Sequence, residues 1–195
     1  MSMQDWWDSM FKSITLGLLL GLSAFTSGAQ EALTPVASLN VPRYLGTWYE
    51  IAKFPNRFQK MCASNTSAQY SARPDGTLSV RNRCTDAEGK VNEVTGQARQ
   101  IGNATSAKLE VRFAPAWLSF LPFVWGNYWV IDIDNDYQLV AVSEPEREYL
   151  WILSRTPEVN GKAYDELLMR LGKNGFDLKR LERSKQVKVG LPIGG

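Results

Sequence analysis

The chain has no histidine. That removes Ser-His-Asp and Cys-His hydrolysis, histidine general bases, and nearly every zinc or iron site built on imidazole. An enzyme made from this sequence would have to work with carboxylates, Lys, Tyr or Cys. Cysteine is scarce as well, with Cys62 and Cys84 the only two. An excess of charge of one sign is also lacking. The 22 basic and 20 acidic residues leave a net charge of +2 and no Lys/Arg cluster, which argues against a nucleic-acid partner. Internal repeats and low-complexity tracts are absent, and nothing points to a metal or another cofactor. The one long apolar run, "ITLGLLLGLSAF" (14–25), is too short to span a bilayer comfortably.

That run is preceded by Lys12 and followed by "SGA", the pattern of an export signal over residues 1–29 with cleavage after Ala29. Asp5 and Asp8 make the start net negative, so a retained membrane-anchoring segment is the alternative. No Cys stands at the end of the run, where bacterial lipid attachment would need one. A soluble, exported, periplasmic protein is therefore expected. An even pair of cysteines in an exported chain favours a Cys62–Cys84 disulfide over a catalytic thiol. Such a bond would contribute roughly 3 kcal/mol in the chain-entropy model, with a free redox pair as the alternative.

The 195 residues suffice for one domain with a substantial core. Residues 30–43, with two prolines, read as a mobile linker, 44–183 as the domain, and 184–195 as a tail. Within the domain, strands are predicted at 46–54, 64–73, 77–85, 90–101, 106–113, 127–134, 137–143 and 148–154. The turn sequences "RPDGT", "DAEGK", "IGNAT", "DNDY" and "SEPERE" separate most of them. Eight strands in series with short connections predict an all-β, up-and-down antiparallel barrel.

The middle strands alternate. Leu109, Val111 and Phe113 share one face, Leu78 and Val80 another, and Val94, Gly96 and Ala98 a third, each opposite polar residues. The late strands "YWVIDI", "LVAV" and "YLWIL" are apolar on both faces and need an outer cover. The helix predicted at 161–173 supplies it, with Tyr164, Leu167, Leu168 and Leu171 on one stripe. Gly172 or Gly175 can end it, and a last strand is predicted at 176–182. Small inward residues such as Ala68, Gly96 and Ala98 leave room inside for one small ligand.

Three segments give the chain its resemblance. "GTWY" (46–49), "DNDYQLVAV" (134–142) and "LWILSRTP" (150–157) resemble, in order and spacing, the motifs of the lipocalin family. The likeness is strongest to its bacterial outer-membrane and apolipoprotein D branches, and covers about residues 40 to 183. The resemblance implies a barrel floored by Trp48, with Arg155 lying across it and Gly46 passing beneath. Its cavity would be lined by Tyr70, Phe113 and Trp151, with Val80 and Val111 on the same inner face. The cargo would be a lipid, a fatty acid or lysophospholipid, and the role one in the bacterial envelope. Cys62 stands where a family disulfide often begins, but the C-terminal tail has no partner for it, so Cys84 departs from the pattern. By strand parity both cysteines could face inward near the open end.

The connection "FAPAWLSFLPFVWGNY" (113–128) carries Trp117, Leu118, Phe120, Leu121 and Phe123. A stretch this apolar implies either a lid over the barrel mouth or a contact surface for a membrane or a second subunit. Three functions follow: a non-enzymatic lipid carrier with peripheral outer-membrane contact, an envelope interaction protein acting as a homodimer, and a Cys-dependent enzyme. The first is favoured on the resemblance, and the last is disfavoured because no histidine could activate either thiol.

Overall fold

The computed structural model describes residues 31–114, 121 and 124–187. The export signal at 1–29 and the loop residues Trp117, Leu118, Phe120 and Phe123 lie outside the described residues; of the loop's apolar set, Leu121 is within them and half-buried.

A short helix, α1 (Val41–Tyr44), precedes eight strands in series: β1 (Gly46–Lys53), β2 (Ser64–Ala72), β3 (Leu78–Thr85), β4 (Val91–Gln100), β5 (Lys108–Arg112), β6 (Gly126–Ile133), β7 (Leu139–Ser143) and β8 (Leu150–Ser154). Each strand pairs antiparallel with the next. β1 closes the ring by pairing both with β8 and with β2, the latter through Gly46↔Tyr70 to Tyr49↔Ser67. The predicted strands fall within two residues of the observed ones.

Two hydrophobic clusters result. The inner one holds Trp48, Tyr70, Leu78, Val80, Ala98, Leu109, Val130, Val140, Val142 and Leu153. The outer one joins Ile131, Leu139, Ala141, Leu150 and Ile152 of the late strands to Tyr164, Leu167 and Leu171 of helix α2 (Gly161–Lys173). The non-alternating strands are thus covered by the amphipathic helix, as their pattern requires. Asn160 caps α2 by accepting from the Ala163 N–H, and Gly175, at φ +82°, ends it.

Two expectations are corrected. The segment 176–182 is not a strand. Asp177 caps a 3-10 turn at Leu178–Arg180, and only Glu182–Arg183 (β9) pairs, with Ala52 and Lys53 of β1. The segment read as a mobile linker is packed: Leu33 and Leu39 are buried, and the Val36 and Leu39 N–H groups donate to Val130 and Thr105 carbonyls. The tail is anchored over 184–186. The Ser184 N–H donates to Ile51 O, and the Asn65 N–H to Lys185 O. The Gln186 side chain bridges the carbonyls of Glu50 and Thr66, stitching β1 to β2 where the two strands diverge.

Candidate functional site

The closed end is built from the three quoted motifs. Trp48 is fully buried and donates its indole N–H to Tyr44 O at 2.8 Å. The Arg155 guanidinium lies 3.8 Å above the Trp48 ring and donates to the carbonyls of Tyr137, Thr47 and Arg43. Burial pulls its pKa below the ordinary value for arginine. A side chain at Gly46, which has φ +98°, would approach Arg155 Nη1 within 3.3 Å. In the "DNDY" turn, Asp134 accepts from the Gln138 and Leu139 N–H groups, which fixes Tyr137 in the left-handed region. Tyr137 then accepts from the Asn40 N–H and lies under the Arg43 guanidinium, holding α1 against the floor.

Against the floor stand three tyrosines, Tyr44 and Tyr70 buried and Tyr128 half-buried. Tyr128 OH lies 2.7 Å from both Tyr44 OH and Tyr70 OH. Burial raises all three pKa values, Tyr70 to about 12 and the others well above the ordinary phenol range. Tyr70 and Val80 are buried in the inner cluster, and Val111 packs half-buried against it. Asn82 faces inward through its pairing with Ala68 of β2, opposite Trp48, and with Val94 of β4. Its buried Oδ1 has no hydrogen-bond partner among the described residues.

Toward the open end the inward positions stop being filled. Val94 is 47 % exposed and Phe113 is 41 % exposed, although pairing and parity turn both to the barrel axis. The Phe113 ring lies over Gly96, where an added methyl would come within 2.6 Å of it. Trp151 faces inward beside Val142 and donates its indole N–H to Gln59. Its ring stacks on Tyr149, which in turn meets Phe58 at the rim. Phe58 and Met61 project into solvent there, at 57 % and 56 % exposure. The turn carrying them is pinned to the end of β3 by the Cys62–Cys84 disulfide, with Cα atoms 5.5 Å apart. Gln59 also donates to Glu50, a buried carboxylate that accepts from Ser184 as well. Burial raises the Glu50 pKa, and the Ser184 and Gln59 hydrogen bonds hold it back.

Outside the barrel, a groove of about 570 Å³ lies between α2 and the closed-end strand termini. Its prominent charges are already spent on one another, Arg170 binding Asp132 through two nitrogens. Among the described residues no cluster of Cys, Asp and Glu could hold a metal ion, and no helix is long and apolar enough to cross a membrane.

The sequence reading named Tyr70, Val80, Val111, Phe113 and Trp151, and these face the same interior. It missed Tyr44, Tyr128, Asn82 and the Glu50–Gln59 pair. Asn82 was legible, because it has the parity of Val80. Tyr128 was not, because β6 is apolar on both faces.

A lipocalin-like domain model matches residues 39–186. The chain is 42% identical over 159 residues to temperature-induced lipocalin-1 of Arabidopsis thaliana, covering 80% of this chain and 84% of that protein. It is 40% identical over 151 residues to outer membrane lipoprotein Blc of Escherichia coli K12, covering 77% and 81%. Among solved structures, insecticyanin of the tobacco hornworm Manduca sexta superposes with a TM-score of 0.62 at 18% identity, over 80% of this chain and 85% of that one. That likeness carries the fold.

Proposed function

The chain belongs to the lipocalin family, and from that premise we propose that it binds and carries a fatty acid or lysophospholipid in the barrel, serving maintenance of the bacterial envelope. Lipocalins are generally binding and transport proteins, which accords with a non-enzymatic role. The observation that carries the proposal is the exposure of Val94 and Phe113, inward by register yet reached by solvent from the open end. An acyl chain laid there would remove apolar surface from water at about 25 cal/mol per Å², offset by its lost freedom. Tyr70, Val80, Val111, Phe113 and Trp151 would line the path, with Gly46, Trp48 and Arg155 as its structural floor.

The name of the Escherichia coli relative supports an exported protein working at the outer membrane, and the disulfide suits an oxidising compartment. Phe58 and Met61 at the rim support a peripheral membrane contact, which the apolar residues 117–123 would extend. The test is organic extraction of the purified protein followed by lipid mass spectrometry, with palmitate titration of the delipidated protein. Co-purified acyl lipid and micromolar binding are expected. An empty extract together with no palmitate binding would sink the proposal.

A further inference from the structure

Tyr70 stands on β2 and Tyr128 on β6, four strands apart in a ring of eight and therefore on opposite walls. Their hydroxyls nevertheless meet at 2.7 Å, and Tyr44 joins from α1 at the same distance. The three phenols form a crossbar over the barrel, against the Trp48 floor, with the Tyr44 and Trp48 ring centroids 5.1 Å apart. A molecule entering from the open end therefore meets hydroxyls at the bottom of its path.

The hydrogens can be counted. Three phenols bring three O–H hydrogens, and the two links between them use two. One hydrogen remains without an acceptor among the described residues. Tyr128 is the partly accessible member, while Tyr44 and Tyr70 are closed off at 0 % and 3 % exposure. A second group in the same interior is also unspent: Asn82, two residues along β3 from the Val80 that pairs with Tyr70, has its Oδ1 buried and unbonded. Unpaired buried polar groups are costly, so a ligand atom that satisfies them is favoured over one that cannot.

We infer that the deep end of this cavity receives an uncharged oxygen, a hydroxyl or a carbonyl, at the leading tip of the ligand. This rests on the carrier reading and narrows it: the preferred cargo is an acyl chain oxygenated at the end that enters first. A carboxylate is the wrong tip. Burial keeps all three phenols protonated at neutral pH. The cation acting on Tyr44, Arg155, lies across the Trp48 ring and already serves three backbone carbonyls. A hydroxyl fits best, since it accepts the spare phenol hydrogen and still has a hydrogen to donate toward Asn82.

The experiment compares palmitate with its omega-hydroxy analogue on the delipidated, disulfide-bonded protein by calorimetry, with shorter and longer pairs so that one tip reaches the crossbar. Both ligands carry the same carboxylate and differ only at the far end. In a purely apolar pocket the added hydroxyl would weaken binding through its desolvation. Here the hydroxylated acid is expected to bind about tenfold more tightly at the best chain length. In Tyr128→Phe, which removes the one accessible hydroxyl, the preference should be lost. Equal or weaker binding of every hydroxylated acid by the native protein overturns the inference while leaving the carrier reading standing, and that comparison needs no variant to fold. If Tyr128→Phe keeps the preference, the crossbar is not its source and the inference falls. If neither acid binds, the carrier reading falls and the inference with it.

Discussion

The two ends of the barrel are made of similar residues put to opposite uses. At the closed end Trp48, Tyr44 and Leu39 are at most 1 % exposed, and Arg155 ties three carbonyls from separate segments over the indole. At the open end Phe58, Met61, Val94 and Phe113 are each more than 40 % exposed, and a single covalent pin holds the rim turn. Aromatic side chains that meet partners on every side supply stability. Those left facing a hollow would supply affinity for the proposed ligand.

Mutations can break this contrast, and the largest effect is expected at the floor. Trp48→Ala should destabilise the fold by about 3–5 kcal/mol in urea unfolding, because a buried indole leaves a void that its neighbours cannot fill. A loss below 1 kcal/mol would mean that the closed end is not what holds the barrel. Next comes the disulfide. Cys84→Ser should cost about 3 kcal/mol by freeing a 22-residue separation in the unfolded chain. It should also quicken ligand exchange, because the rim turn would be released. Smaller again is Phe113→Ala, expected to change stability by less than about 1 kcal/mol while weakening palmitate binding several-fold. The same stability loss as at Trp48 would erase the distinction between the ends.

The smallest effect sharpens the comparison instead of breaking it. The Glu50 pKa is raised by burial, so the native state holds a proton that the unfolded chain gives up. Stability contributed by this group is full below the ordinary glutamate pKa and falls as pH rises through the folded value. The slope is at most about 1.4 kcal/mol per pH unit for one proton. Glu50→Gln should flatten that slope in thermal melts taken across mildly acidic pH, and an unchanged slope would assign it to other carboxylates.

Much of this was legible in the residues. Period-two patterning turned Leu109, Val111 and Phe113 inward, and the want of it in "LVAV" and "YLWIL" called for the helix that covers them. The quoted motifs marked Trp48 and Arg155, which meet. What stayed hidden depends on partners far along the chain. Leu33 and Leu39 have no period of their own and are buried only because the strands exist to receive them. Tyr44 fell at the edge of a supposed linker, and its link to Tyr128 joins positions 84 residues apart. The segment at 176–182 has enough apolar residues for a strand, yet Asp177 and the buried Phe176 turn it into a cap and an anchor.

The stitch made by Ser184 and Gln186 has a bearing on how the protein is born. The seam between β1 and β2 is sewn by residues that follow all eight strands of the ring in the chain, and β1 also waits for β8. No length of chain that stops short of β8 can shut the ring, so closure waits on partners more than a hundred residues apart.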